Sequence, residues 1–128
     1  MHDVMLRRTG WVMLGLFALF MLGASVAPKL LGLPIAAQTM ADLGWPAAPI
    51  VLIGVLELIC TALVLFPPTG QLGGILMMAI LGGAMVTQMR AGTPLVSNQL
   101  FSVWLGLWMW AGLWARDGRL RAVLPWTR

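Results

Sequence analysis

Four long apolar stretches, separated by short polar or proline-containing segments, dominate the pattern of the chain. They cover about residues 10–27, 47–66, 70–89 and 99–115. A helix that crosses a membrane needs about 20 mostly apolar residues, with roughly 17 as the lower limit. Inside a bilayer every backbone polar group must find its partner within the protein, so each stretch is predicted to be a helix. The pattern therefore predicts an all-α integral membrane protein, a four-helix bundle that forms a single domain over residues 1–128.

The connections between the predicted spans differ in length. Residues 67–69 alone join spans two and three, which requires an antiparallel hairpin, and a short polar loop of about residues 90–98 joins spans three and four. The first connection, residues 28–46, is long enough to hold a helix of its own. Pro34 suits the first turn of such a helix and Gly44 suits its end. A short interfacial helix on the membrane surface is therefore predicted between spans one and two.

Composition supports the membrane assignment and excludes several other classes. The chain has 128 residues, of which 60% are apolar and 9% are charged, whereas about 25% of residues are charged in soluble domains. The mean hydropathy is +0.92. These values exclude an ordinary soluble domain, a disordered chain and a nucleic-acid binder. One cysteine and one histidine exclude an internal disulfide, a multi-thiolate metal site and a haem held by two histidines, so no catalytic or metal-ligating residue is predicted.

The basic residues are distributed unequally between the two sides that four spans would create. Lys29 and Arg90 follow spans one and three and lie on the side opposite the termini. Loops on the cytoplasmic side carry an excess of Lys and Arg, so the N- and C-termini are both predicted to be cytoplasmic. The side of the termini carries six arginines: Arg7, Arg8, Arg116, Arg119, Arg121 and Arg128.

Glu57 lies at the middle of the second apolar stretch. A carboxyl group at that depth costs roughly 2.5–3.5 kcal/mol on insertion scales, and acidic residues there are usually functional and point into the bundle. Burial favours the neutral acid unless a cation lies nearby. Two interpretations stay open. Glu57 is either a hydrogen-bonded tie between helices, helped by Thr61 one turn later, or a group that exchanges protons or binds a ligand.

Other polar residues gather in the same half of the predicted bundle as the outer end of span two. Ser25 ends span one and Asn98 begins span four. Together these positions predict a polar pocket with Glu57 at its floor, and the alternative for each is an interfacial residue that touches water. Phe101, Trp104 and Trp108 share one helical face, on which a flat ligand could stack or lipid could pack. The candidates for ligand binding or proton exchange are Glu57, Lys29, Gln88, Arg90, Ser102 and Trp104.

Several short motifs now support a family comparison. Lys29 follows span one, residues 43–46 read Leu-Gly-Trp-Pro, Glu57 lies within span two, and residues 91–94 form a turn that reads Ala-Gly-Thr-Pro. In this order the motifs resemble the DoxX-like family of small bacterial membrane proteins. Related sequences often carry a histidine near the end of the third helix, where this chain has Thr and Gln at residues 87–88. Chemistry that depends on that histidine is therefore not expected here.

The resemblance extends over about residues 10–124 and implies a bacterial cytoplasmic (inner) membrane location. Family members are associated with membrane oxidoreductase systems, some of them linked to thiosulfate and quinones. The first hypothesis is thus a non-catalytic subunit or accessory protein of a redox- or quinone-linked membrane complex, with other membrane subunits as partners. The alternative is a small binding or transport module for a lipid-like or quinone-like ligand in the pocket around Glu57. No intrinsic cofactor is predicted, and the sequence offers no motif for a standalone enzyme.

Overall fold

The computed structural model describes residues 2–124, and this part of the chain is helical and contains no strand. The all-α prediction is therefore confirmed for the described residues. Three short turns of 3-10 or π geometry join or interrupt the helices. The helices are α1 (His2–Leu30), α2 (Pro34–Asp42), α3 (Ile50–Leu65), α4 (Gly70–Ala91), α5 (Phe101–Arg116) and α6 (Gly118–Val123).

Helix α1 is longer at both ends than the apolar stretch that predicted it. The helix begins at His2, because the polar residues before residue 10 end the apolar pattern without ending the helical backbone. It also continues past Pro28 to Leu30. Proline has no N–H to give to the preceding turn, and in α1 a wider π-helical turn, Met21–Val26, precedes this position. The π-helical turn and the proline together mark a local irregularity in an otherwise continuous helix.

The four longer helices contact one another in a ring. Helix α1 packs on α5, α5 on α4, α4 on α3, and α3 on the second half of α1. The core lies inside this ring and takes side chains from every one of the four helices. Its most completely buried members are Leu14, Phe17, Val64, Met77, Met109 and Leu113.

Two of these helix contacts bring backbone against backbone. A Cβ atom on Gly73 would lie 2.5 Å from the backbone nitrogen of Val64. Helices α3 and α4 therefore approach each other more closely than a side chain at this position would allow. Gly10 of α1 lies in the same way against the backbone of Arg116 in α5. Small residues permit such approaches between apolar helices. The hairpin predicted from residues 67–69 is confirmed, since a 3-10 turn at Pro67–Thr69 joins α3 directly to α4.

Two helical segments are long and apolar enough to cross a membrane, His2–Leu30 and Pro67–Ala91. Helix α3 is apolar but has 16 residues, and α5 also has 16. Sixteen residues extend about 24 Å, which is less than the hydrocarbon thickness of about 30 Å. Four membrane crossings therefore stay a prediction. The short helix expected between the first two spans is confirmed as α2, which Gly44 follows with a positive φ of 83°.

The two ends of the bundle carry different polar groups. At one end, Arg116 donates hydrogen bonds to the carbonyl oxygens of Val64 and Leu65, the last turn of α3, at 2.8 and 2.9 Å. At the same end Asp3 pairs with Arg121, which joins the start of α1 to α6. Helix α2 and Arg90 lie towards the opposite end, whereas the side chain of Lys29 lies inside the bundle against Glu57. Arg128, which the orientation prediction counted, lies outside the described residues.

Candidate functional site

Three polar side chains meet where the second half of α1 packs against the middle of α3. The ammonium nitrogen Nζ of Lys29 lies 2.9 Å from Oε1 of Glu57. The hydroxyl of Ser25 donates a hydrogen bond of 2.5 Å to Oε2 of the same carboxylate and accepts one of 2.7 Å from Lys29. The side chain of Glu57 is 5% exposed and that of Lys29 14%. These three residues, here called the Glu57 cluster, form a compact ion pair with a bridging hydroxyl in an apolar environment.

The local sequence explains why the cluster forms at this place. Ser25 and Lys29 are four residues apart, which puts them on one face of a helix. Ser25 belongs to the π-helical turn Met21–Val26, and π-helical turns are often found at functional sites. On α3, Gly54 lies one turn before Glu57, and a Cβ atom there would be 2.9 Å from Cβ of Lys29. The missing side chain of Gly54 therefore lets α1 come close enough for Lys29 to reach the carboxylate.

The ion pair changes the chemistry expected for Glu57. Depth alone favours a neutral acid, but an ammonium group 2.9 Å away favours the carboxylate. The prediction that Glu57 points into the bundle and makes hydrogen bonds there is confirmed. Thr61 has a different role from the one expected. Its hydroxyl donates to the backbone oxygen of Glu57 at 2.7 Å and not to the carboxylate.

The Glu57 cluster lines a pocket of about 770 Å³ that opens at the α2 end of the bundle. Ligand pockets in proteins usually measure about 300–1,000 Å³. Residues 79–88 of α4 line one wall, which corresponds to a length of roughly 13 Å at 1.5 Å per residue. The walls are mostly apolar, with Phe20, Leu56 and Leu105 among the lining side chains. The pocket therefore suits a small molecule that is mainly apolar.

A second polar group in this pocket has an unused hydrogen-bonding atom. The side-chain oxygen Oε1 of Gln88 is buried, and no donor within residues 2–124 reaches it. Buried polar atoms in folded proteins nearly always have a partner, so an unpaired one calls for an explanation. Ser102 of α5 also lines the pocket and is 7% exposed. The pocket thus combines mostly apolar walls with nine polar lining residues, which are Ser25, Lys29, Thr39, Glu57, Thr87, Gln88, Ser97, Asn98 and Ser102.

Four of the six candidate residues from the sequence line this pocket, namely Glu57, Lys29, Gln88 and Ser102. The other two do not. Arg90 lines a smaller neighbouring pocket of about 170 Å³, together with Trp45. Trp104 is 50% exposed on the outer surface of α5 and donates a hydrogen bond to the backbone oxygen of Val96 at 3.1 Å.

Part of the pocket wall was not predictable from the sequence. Helix α2 and the segment after it contribute Thr39, Met40, Leu43 and Trp45. The sequence predicted a helix on the membrane surface here, but it did not indicate which part of the bundle this helix packs against. Both π-helical turns of residues 2–124, Met21–Val26 and Leu95–Gln99, also contribute lining residues. The four-residue spacing of Ser25 and Lys29 was the one signal in the sequence that pointed to their pairing.

Fold and site together define a small all-helical bundle protein with a preformed, mostly apolar pocket and a buried ion pair in the pocket wall. The model of the DoxX-like family matches residues 12–112. The chain therefore belongs to the DoxX-like family, whose members are generally membrane proteins. No match is found among curated proteins or solved structures.

Proposed function

We propose that this DoxX-like protein binds a lipid-like molecule in the pocket beside the Glu57 cluster, as a multi-pass protein of the bacterial inner membrane with both termini cytoplasmic. The observation that carries the proposal is the pocket itself. It has about 770 Å³ of space and mostly apolar walls, and the ion pair of Lys29 and Glu57 lies in its lining. Apolar walls with few, well-placed polar groups are typical of sites for small molecules.

The outer surface supports the membrane location. Large apolar side chains on all four long helices point away from the core, and isolated soluble proteins rarely expose so continuous an apolar surface. Leu19 is 70% exposed, Leu52 56%, Ile75 61% and Leu107 60%. Exposed apolar side chains of this kind are compatible with the hydrocarbon chains of a bilayer. Helices α3 and α5, with 16 residues each, would cross with their ends close to the hydrocarbon boundary.

The nature of the Glu57 cluster favours a binding role over a purely structural tie. Replacing a buried ion pair by apolar residues of similar volume is often neutral or stabilising, so such a pair is weak support for a stability role. A neutral tie between two helices needs no more than a hydroxyl or an amide. The charged cluster also faces a pocket, where the carboxylate of Glu57 can orient the polar end of a ligand.

A lipid extraction from the purified protein tests the proposal. The full chain is isolated from bacterial membranes in mild detergent, and the bound small molecules are identified by mass spectrometry. Ala84→Trp places a large side chain at a pocket-lining position and is expected to abolish retention. Ala111→Trp, on the exposed side of α5, is the matched control and should retain the ligand. Equal retention by both variants would contradict the proposal.

The accessory-subunit hypothesis predicts a different result from the same purification. A subunit of a redox- or quinone-linked complex should be recovered with other membrane proteins in fixed stoichiometry. A binding module should be recovered alone or as copies of this chain, with its ligand. The mass of the native particle therefore separates the two hypotheses without any assumption about the ligand.

A further inference from the structure

We infer that the polar end of the ligand is a neutral hydroxyl, as in an alcohol or a phenol, which donates a hydrogen bond to the carboxylate of Glu57. The inference rests on the proposed function, since it specifies the chemistry of the ligand for the same pocket. It follows from counting the hydrogens and lone pairs that the Glu57 cluster has already used.

The cluster has no hydrogen left to give. An ammonium group has three hydrogens and no lone pair. Those of Lys29 go to the carboxylate of Glu57 at 2.9 Å, to the hydroxyl of Ser25 at 2.7 Å and to the backbone oxygen of Ser25 at 3.2 Å. The single hydroxyl hydrogen of Ser25 goes to Glu57. A ligand that offers only lone pairs, such as an ether, therefore finds no donor in the cluster.

The cluster still has lone pairs to offer. A carboxylate has about four acceptor positions, and within residues 2–124 Glu57 uses two of them, one for Lys29 and one for Ser25. Buried acceptors without a donor are unfavourable. A ligand that brings a hydrogen to this wall is consequently favoured over one that does not.

The balance of charge favours a neutral ligand. Among the described residues that line the pocket, Lys29 and Glu57 are the charged side chains, and they neutralise each other. An added carboxylate or ammonium group would be desolvated between apolar walls without a counter-ion. A hydroxyl avoids this cost because it carries no net charge.

A matched pair of probes tests the inference. The full chain in phosphatidylcholine nanodiscs is titrated by calorimetry with a para-alkylphenol and with the methyl ether of the same phenol, and heats from empty nanodiscs are subtracted. The two probes share their apolar part and differ in one hydrogen-bond donor. The phenol is expected to bind about tenfold more tightly, because hydrogen bonds to charged acceptors are among the stronger ones. Equal affinity would overturn the inference and leave the proposed function intact, whereas binding of neither probe would overturn both.

Two variants locate the acceptor. Glu57→Gln removes the carboxylate and is expected to reduce the preference for the phenol to about twofold or less. Thr61→Val, one turn away on the same helix, removes a hydroxyl that bonds to the backbone and should keep the full preference. A full preference in a folded Glu57→Gln variant would contradict the role of the carboxylate. Should that variant not fold, the comparison of the two probes on the unmodified chain still decides the inference.

Discussion

The carboxylate of Glu57 lies 2.9 Å from the ammonium nitrogen of Lys29, although both groups belong to a largely apolar part of the molecule. At the scale of single residues this contact decides which chemistry the pocket offers. A neutral acid would present a donor to the ligand, whereas a carboxylate whose near partners are fixed presents acceptors. For the ligand proposed above, the charge state of Glu57 would therefore determine which chemical class the pocket prefers.

The charge state of Glu57 can be measured directly. An ammonium nitrogen 2.9 Å from its carboxyl group favours the carboxylate form of Glu57. The infrared spectrum of the unmodified chain should then contain a carboxylate stretching band that is missing from the spectrum of Glu57→Gln. Loss of a protonated carboxylic-acid band in its place would show that the cation does not control this group.

Breaking the ion pair should cost more than removing it. In Lys29→Met the carboxylate of Glu57 stays buried without a cation, and the loss in free energy of unfolding is expected to be on the order of 3 kcal/mol. The double variant Lys29→Met/Glu57→Gln has no uncompensated charge and should recover most of that stability. Thermal unfolding in detergent measures both variants. A double variant less stable than the single one would argue that each group is stabilised by something other than its partner.

At the scale of elements, glycines decide which helices can touch. A Cβ atom at Gly73 would meet the backbone of α3, at 2.5 Å from the nitrogen of Val64 and 2.7 Å from the carbonyl carbon of Leu63. Backbone atoms cannot turn away as a side chain can, so the contact between α3 and α4 depends on this glycine. Gly82, further along the same helix, has no atom within 4 Å of its ideal Cβ position.

These two glycines make a matched pair of substitutions. Gly73→Ala should separate the hairpin of α3 and α4 and lower the free energy of unfolding by about 1–3 kcal/mol, as overpacking usually does. Gly82→Ala should be neutral or stabilising by up to about 1 kcal/mol, because alanine favours the helix. Thermal unfolding of both variants under one set of conditions is the measurement. Similar melting temperatures for the two would mean that the close approach of α3 and α4 is not a stability determinant.

At the scale of the whole molecule, the orientation of the bundle follows from the distribution of its charges. Asp3, Arg116 and Arg121 lie at one end and Arg90 lies towards the other, while Lys29 is paired with Glu57 inside the bundle. The orientation rule counts basic residues near the ends of spans, and the end that holds the described termini has the majority. That end is therefore expected to face the cytoplasm.

Cysteine labelling in intact cells tests this orientation. Thr93→Cys, in the turn after α4, should react with a thiol reagent that cannot cross the membrane. Thr127→Cys, outside the described residues, should react after permeabilisation and not before. The unmodified chain is the control, since its one cysteine, Cys60, is buried. Reaction of Thr127→Cys in intact cells would reverse the assigned orientation.

The sequence by itself determined the helical class, the hairpin at residues 67–69, the short helix after Pro34 and the family. These features depend on local signals: apolar runs, prolines that restrict the backbone and motifs of a few residues. Boundaries were less well determined, as α1 shows, because charged residues end an apolar pattern without ending a helix. Burial of Glu57 was also predictable, since its position in an apolar stretch leaves few other environments.

The tertiary structure decided which side chains meet. The pairing of Lys29 with Glu57, the fold of α2 against the pocket mouth and the hydrogen bonds from Arg116 to the end of α3 all join residues that are distant in the chain. Trp104 and Arg90 were excluded from the main pocket for the same reason. Each of these outcomes depends on the rotation of one helix about its axis relative to another, and a pattern that repeats along a single helix contains no information about that rotation.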